Sequence, residues 1–185
     1  MAPAGRGKRS QTYVALLRAV NLGSHNKIGM PQLKGVFESL GAEDVRTYVQ
    51  SGNVVFRSAG AASTVRQEIE HAIASELGLT ITVLLRTKAQ IAKLVRDNPF
   101  RENPEKALYV TFLAETPAKA RVRELDPTEF DPDTFQVAGR EIYLNFPNGY
   151  GRSKLSNAYF EKRLGVAATT RNWRTVNALV ELEST

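Results

Sequence analysis

YVALLRAVNLGSHNKIGMPQLKGVFESLGAEDVRTYVQSGNVVFR, residues 13–57, holds the pattern on which the fold turns. Tyr13 to Ala19 is a short apolar run that reads as a central strand. Leu33, Val36, Phe37 and Leu40 then recur at helical spacing until Gly41 stops them. Val45 to Val49 and Val54 to Arg57 are β-rich pieces joined through Gln50-Ser51-Gly52-Asn53, where a glycine in a tight turn favours a hairpin. Strand, helix and hairpin in that order open a split β-α-β unit.

Reading on, Thr64 to Gln67 predicts a capping box ahead of Val65, Ile69, Ala72 and Ile73, a helix that ends at Leu77-Gly78. Thr80 to Leu85 is the fourth strand. A second capping box, Thr87 to Gln90, opens a helix bearing Ile91, Leu94 and Val95 that cannot pass Asn98-Pro99. After the linker NPFRENPE the pattern repeats. Leu108 to Leu113 is a strand, and Thr116-Pro117 starts a helix with Val122 and Leu125. Phe135 to Val137 and Ile142 to Phe146 flank a Gly139-Arg140 turn. Leu155, Tyr159, Phe160 and Leu164 mark a helix closed by Gly165; Val166 to Thr170 is a strand, and Val176, Leu179, Val180 and Leu182 form a last helix. Matched elements lie roughly 85 to 95 residues apart, without alignable residue identities. The expectation is an α+β protein of two ferredoxin-like β-α-β-β-α-β-α lobes, residues 12–98 and 106–185, joined by linker 99–105 and preceded by a disordered basic tail, 1–11.

Composition bounds the function. The 185 residues contain no Cys, which excludes disulfides, a thiolate nucleophile, iron–sulfur clusters and cysteine zinc sites. With two His, His25 and His71, no metal site and no cofactor are expected. Net charge is +6, but Arg6, Lys8 and Arg9 sit in the first ten residues; setting these three aside leaves 22 basic against 19 acidic residues. No run approaches membrane-spanning length and no secretory signal is seen, so a cytoplasmic location is expected.

The duplication exposes what is not duplicated. Asn21 to Met30 is long where its second-lobe counterpart is short, and Phe146 to Leu155 outgrows Ser58 to Ala62; loops beyond the needs of a scaffold are where binding usually resides. The first loop carries Arg18, Asn21, His25 and Lys27 up to a helix start, whose free N–H groups favour phosphate or carboxylate. The second, Asn148 to Lys154, brings glycines, Ser153, Arg152 and Lys154 to another helix start, the inventory of a phosphate nest without P-loop spacing. The turn adds Gln50, Ser51 and Asn53. Six basic residues against one acid lie between Asn148 and Arg174, Arg171 among them with Asn172 beside it. Neither GNVVFRS nor REIYLNF fits the RNP1 pattern of an RRM.

Residues 13–56 and GRSKLSNAYFEKRLGVAATTRNWRTVNAL, with YVQSGNVVF and TRNWRT the most specific segments, resemble the bacterial family known as domain of unknown function 1697, from about residue 12 to about 182. The resemblance implies a two-lobed α+β fold related to the ferredoxin-like one and no established activity. Its most recognisable segments coincide with the polar candidates Arg18, Asn21, Lys27, Gln50, Ser51, Asn53, Ser153, Lys154, Arg171 and Asn172. The leading expectation is a binding module for a phosphate-bearing ligand, a nucleotide or nucleic acid, in a cleft between the lobes, its partner thus an anionic small molecule or nucleic acid. Two alternatives stay open: an enzyme acting on a small phosphorylated or carboxylated substrate through His25, Lys154 or Ser153, and a homo-oligomeric interaction module.

Overall fold

The computed structural model describes residues 9–182, so most of the expected basic tail lies outside the described residues. Two four-stranded antiparallel sheets form, each built by half of the chain. In the first lobe β1 (Gln11–Leu17) is central, between β3 (Asn53–Ser58) and β4 (Val83–Thr87), with β2 (Glu43–Tyr48) at the edge beyond β3. In the second, β5 (Leu108–Leu113) lies between β7 (Glu141–Asn145) and β8 (Ala168–Asn172), with β6 (Thr134–Ala138) outermost. The strand orders, β2-β3-β1-β4 and β6-β7-β5-β8, are the same, and both are the ferredoxin-like order expected from the split β-α-β pattern.

The period-two alternation of the strands decides where the cores sit. Tyr13, Ala15, Leu17, Val54, Phe56, Val83 and Leu85 face α1 (Met30–Ser39) and α2 (Ala62–Leu77) in one core. Leu113, Ile142, Leu144, Phe146 and Ala168 meet α5 (Asn157–Leu164) in another, with Val122 of the short α4 (Lys119–Arg123) at its margin. The opposite faces of both sheets, Val14, Leu16, Val55 and Leu84 against Leu108, Val110, Phe112 and Tyr143, share a third core with α3 (Lys88–Arg96) and α6 (Trp173–Glu181). The lobes are therefore fused through buried apolar surface. Phe100, in the turns between them, also packs on this central core. Trp173 serves as one of its anchors rather than as an exposed stacking platform.

Local signals succeeded where the cap could act alone. The Thr87 capping box forms: Gln90 N–H donates to Thr87 Oγ1 at 3.1 Å and Thr87 N–H to Gln90 Oε1 at 2.9 Å. Ser156 and Asn172 cap α5 and α6. The box expected at Thr64 does not form. Helix α2 starts earlier, from an uncapped Ala61 whose carbonyl already receives the Val65 N–H, so Thr64 lies inside the first turn. Likewise α4 starts after Ala118, beyond the Thr116-Pro117 start, and runs for only five residues. Among the described residues no helix is long and apolar enough to cross a membrane, and no group of three or more His, Asp or Glu could hold a metal.

Candidate functional site

The two expected loops have different partners. The first, residues 18–29, folds back on itself and onto the β2–β3 turn. Asn21 Oδ1 accepts the Ile28 N–H at 2.8 Å, while its Nδ2 donates to Ile28 O at 3.0 Å and to Gln50 O at 2.7 Å. One side chain thus closes the loop and ties it to the turn. Several residues there sit in the left-handed region, including Ala19, Asn21 and Val49 at φ 56°, 56° and 47°. Asn tolerates this conformation; for a β-branched valine it is a strained one. In the turn Gly52 has φ 77°, and a Cβ there would lie 2.9 Å from that of Leu17, so only glycine fits. His25, Lys27 and Gln50 remain exposed, as do the apolar Leu22 and Val49.

The second loop sits against the acidic segment before β6. Arg152 and Lys154 line a cavity of about 460 Å³ with Glu129, Asp131 and Asp133. Two of the six cations between Asn148 and Arg174 thus face acidic residues of their own lobe. Ser153 Oγ accepts the Leu155 N–H at 3.0 Å in the turn before α5, and Asn172 Oδ1 accepts the Thr175 N–H at 2.8 Å as the α6 cap. The β7–α5 connection leaves the second sheet beside the start of β5, the end at which Arg171 and Asn172 also lie, and its Tyr150 comes near enough to act on the Arg171 charge.

Arg171 is brought to the first loop, but buried. It is 7% exposed. Its Nε donates to Asn53 Oδ1 at 2.6 Å, Nη1 to Thr169 Oγ1 at 2.6 Å and Thr170 O at 3.0 Å, and Nη2 to Leu17 O at 2.9 Å and Ser51 O at 3.0 Å. All five N–H donors are consumed inside the protein. Asn53, fully buried, orients its oxygen toward Arg171 by donating Nδ2 to Tyr48 O and Ser51 Oγ. Burial draws the Arg171 pKa down to about 10, which leaves it charged at neutral pH. Expected as ligand groups, Arg171 and Asn53 have no polar atom left over for one.

An equivalent residue escaped the sequence reading. Arg86 stands opposite Val14 in β4 as Arg171 stands opposite Val110 in β8, each directly before a helix cap. Arg86 Nη2 donates to Leu113 O at 2.7 Å and Arg140 O at 3.1 Å, and Nε to Glu141 Oε1 at 2.7 Å. Leu113 ends β5 as Leu17 ends β1, and Glu141 opens β7 as Asn53 opens β3. Each lobe therefore sends one buried arginine across the seam to the same place in the other. The signal was available: an arginine inside the apolar run VLLRT cannot be buried without partners.

A third contact crosses at the rim. Arg18 Nε and Nη2 meet Glu161 Oε1 and Oε2 at 2.5 and 2.7 Å, and the same carboxylate accepts the Ala168 N–H at 2.9 Å. Partial burial raises the Glu161 pKa, but the Arg18 hydrogen bonds, the Ala168 N–H and the Arg18 charge outweigh it and hold it below the usual value. A carboxylate with a depressed folded pKa gives stability that is fully present above its unfolded pKa and lost as pH falls through the folded one. Urea titrations of wild type should accordingly lose stability below about pH 4.5, and Glu161→Gln should flatten that loss; an unchanged acid profile in the variant would assign it to other groups.

With this geometry in hand, the family can be settled. The model of the family described as "Protein of unknown function (DUF1697)" matches residues 10–143, all of the first lobe and the second as far as β7. The chain belongs to the DUF1697 family. The solved structure of the conserved bacterial protein SP0830 from Streptococcus pneumoniae is 19% identical to this chain, with a TM-score of 0.71 over 94% of this chain and 98% of that one. That likeness extends past the DUF1697 match and supports the two-lobed α+β fold through the second lobe. No curated protein matches the chain.

Proposed function

We propose that this DUF1697 protein is a binding module for a phosphate-bearing ligand, a nucleotide or nucleic acid, taken at the inter-lobe corner where the 18–29 loop meets the Tyr48–Gly52 turn. The observation that carries this reading is the Asn21 bridge from Ile28 to Gln50. It ties an exposed loop to the turn and holds strained backbone at Val49, a conformation that persists only where the surroundings over-determine it. On that rigid base Lys27 and His25 supply cationic or hydrogen-bonding groups, Gln50 an amide, and Leu22 and Val49 an apolar surface against which a base face can rest. Helix α1, which follows directly, has no side-chain cap at Gly29, so the Met30 and Gln32 N–H groups on either side of Pro31 are left to an anion beside Lys27. Arg171 and Asn53 serve this corner from beneath, as its buried support.

The test is fluorescence anisotropy with a labelled single-stranded oligonucleotide and a labelled nucleotide at about 50 and about 200 mM salt. Wild type should bind saturably and more weakly at the higher salt. Lys27→Ala should weaken binding by roughly tenfold and reduce the salt slope, while Lys154→Ala leaves both unchanged. Absence of saturable binding, or equal affinity in Lys27→Ala, would overturn the proposal.

A further inference from the structure

A second cavity lies on the opposite side of the seam, between helix α3 of the first lobe and the β6–β7 hairpin of the second. Its volume is about 420 Å³, the size of a small-molecule site. Gln90, Lys93 and Asp97 line it from α3, and Gln136, Arg140 and Glu141 from the hairpin. Tyr143 closes the floor, its hydroxyl donating to Leu94 O at 3.1 Å.

The charges do not cancel. Lys93 is paired with Asp97 one helical turn on. Glu141 is paired with the buried Arg86 behind the cavity wall, at 2.7 Å. Arg140, half-buried on the same wall, has no ion-pair or hydrogen-bond partner for its guanidinium among the described residues, and its charge lies close enough to press on that of Arg86. Three cations and two carboxylates leave one positive charge, carried by a planar fork suited to a two-oxygen anion. A dianionic phosphate would overshoot that charge and face Asp97 and Glu141; a single carboxylate balances it. The amide NH₂ of Gln90, whose oxygen is committed to the Thr87 N–H, and the exposed amide of Gln136 are left to meet polar substituents.

We propose that this cavity binds a small organic monocarboxylate, its two oxygens on the Arg140 guanidinium and its polar substituents on the Gln90 and Gln136 amides. The site is separate from the loop corner and stands or falls without it.

The experiment is a titration followed by ¹H–¹⁵N correlation spectra, with monocarboxylates graded from acetate through lactate to benzoate and with inorganic phosphate. Saturable shifts of the Gln90 and Gln136 side-chain amides are expected for at least one carboxylate, weakened at least tenfold in Arg140→Met. That substitution leaves in place the Arg140 carbonyl that Arg86 uses, so the variant should fold; wild-type-like dispersion of its spectrum checks this. Carboxylate shifts that survive Arg140→Met, phosphate binding as tightly as any carboxylate, or no saturable response up to about 50 mM of every probe would each overturn the proposal.

Discussion

Replacing Arg171 by Met should cost about 3–5 kcal/mol of stability, measured by urea unfolding at neutral pH. The side chain fills a buried position between the lobes and supplies three hydrogen bonds across this part of the seam. Met replaces the aliphatic stem but no donor, so Asn53 Oδ1 and the carbonyls of Leu17 and Ser51 lose their partner from the second lobe. Unsatisfied buried acceptors cost about 1–3 kcal/mol each, and some of this is recovered by no longer burying a charge. Arg171→Lys should recover less than half of the loss, because an ammonium cannot span acceptors that a rigid fork reaches in several directions. Asn53→Ala should be non-additive with Arg171→Met, with a coupling of about 0.5–3 kcal/mol. A loss below about 1 kcal/mol in Arg171→Met would show that this crossing adds little to the seam beyond the central apolar core and the Arg86 and Arg18 contacts.

The same residue shows where sequence reading stops. Strand order, the hairpin at Gly52, the Thr87 capping box and the glycine stops at Gly78 and Gly165 are written within a few residues of where they act, and all appear in the structure. The placement of Arg171 depends on Leu17 and Ser51, more than a hundred residues away in the chain, and local periodicity carries no trace of such contacts. A cationic side chain near a loop reads the same whether it faces solvent or five internal oxygens. The equivalence of Arg86 and Arg171 was hidden for a related reason. Strand VLLRT is apolar and strand ATTRN is polar, because Thr111 and Thr170 bond each other and Asn157 beneath α5, where the first lobe has only apolar side chains. With the flanking residues so different, a single shared arginine does not register as a repeat.

The two crossings differ in the group each arginine meets at the start of the partner strand, and that difference predicts unequal responses to a second substitution. Arg86 ends on a carboxylate, Glu141, whereas Arg171 ends on an amide, Asn53. Arg86→Met should be destabilising by about 3–5 kcal/mol, because it strands a carboxylate that is only one-fifth exposed as well as the Leu113 carbonyl. Neutralising that carboxylate should then help: Arg86→Met with Glu141→Gln is expected to be more stable than Arg86→Met alone by about 1–2 kcal/mol. At the other crossing no charge is left behind, so adding Asn53→Ala to Arg171→Met can restore only what removing an unsatisfied amide oxygen restores. Chemical denaturation of the four single and double variants separates the cases. If Glu141→Gln gave no rescue in the Arg86→Met background, the carboxylate would have reached solvent or another cation, with Arg140 the nearest candidate. That outcome would also move the charge balance on which the neighbouring cavity depends.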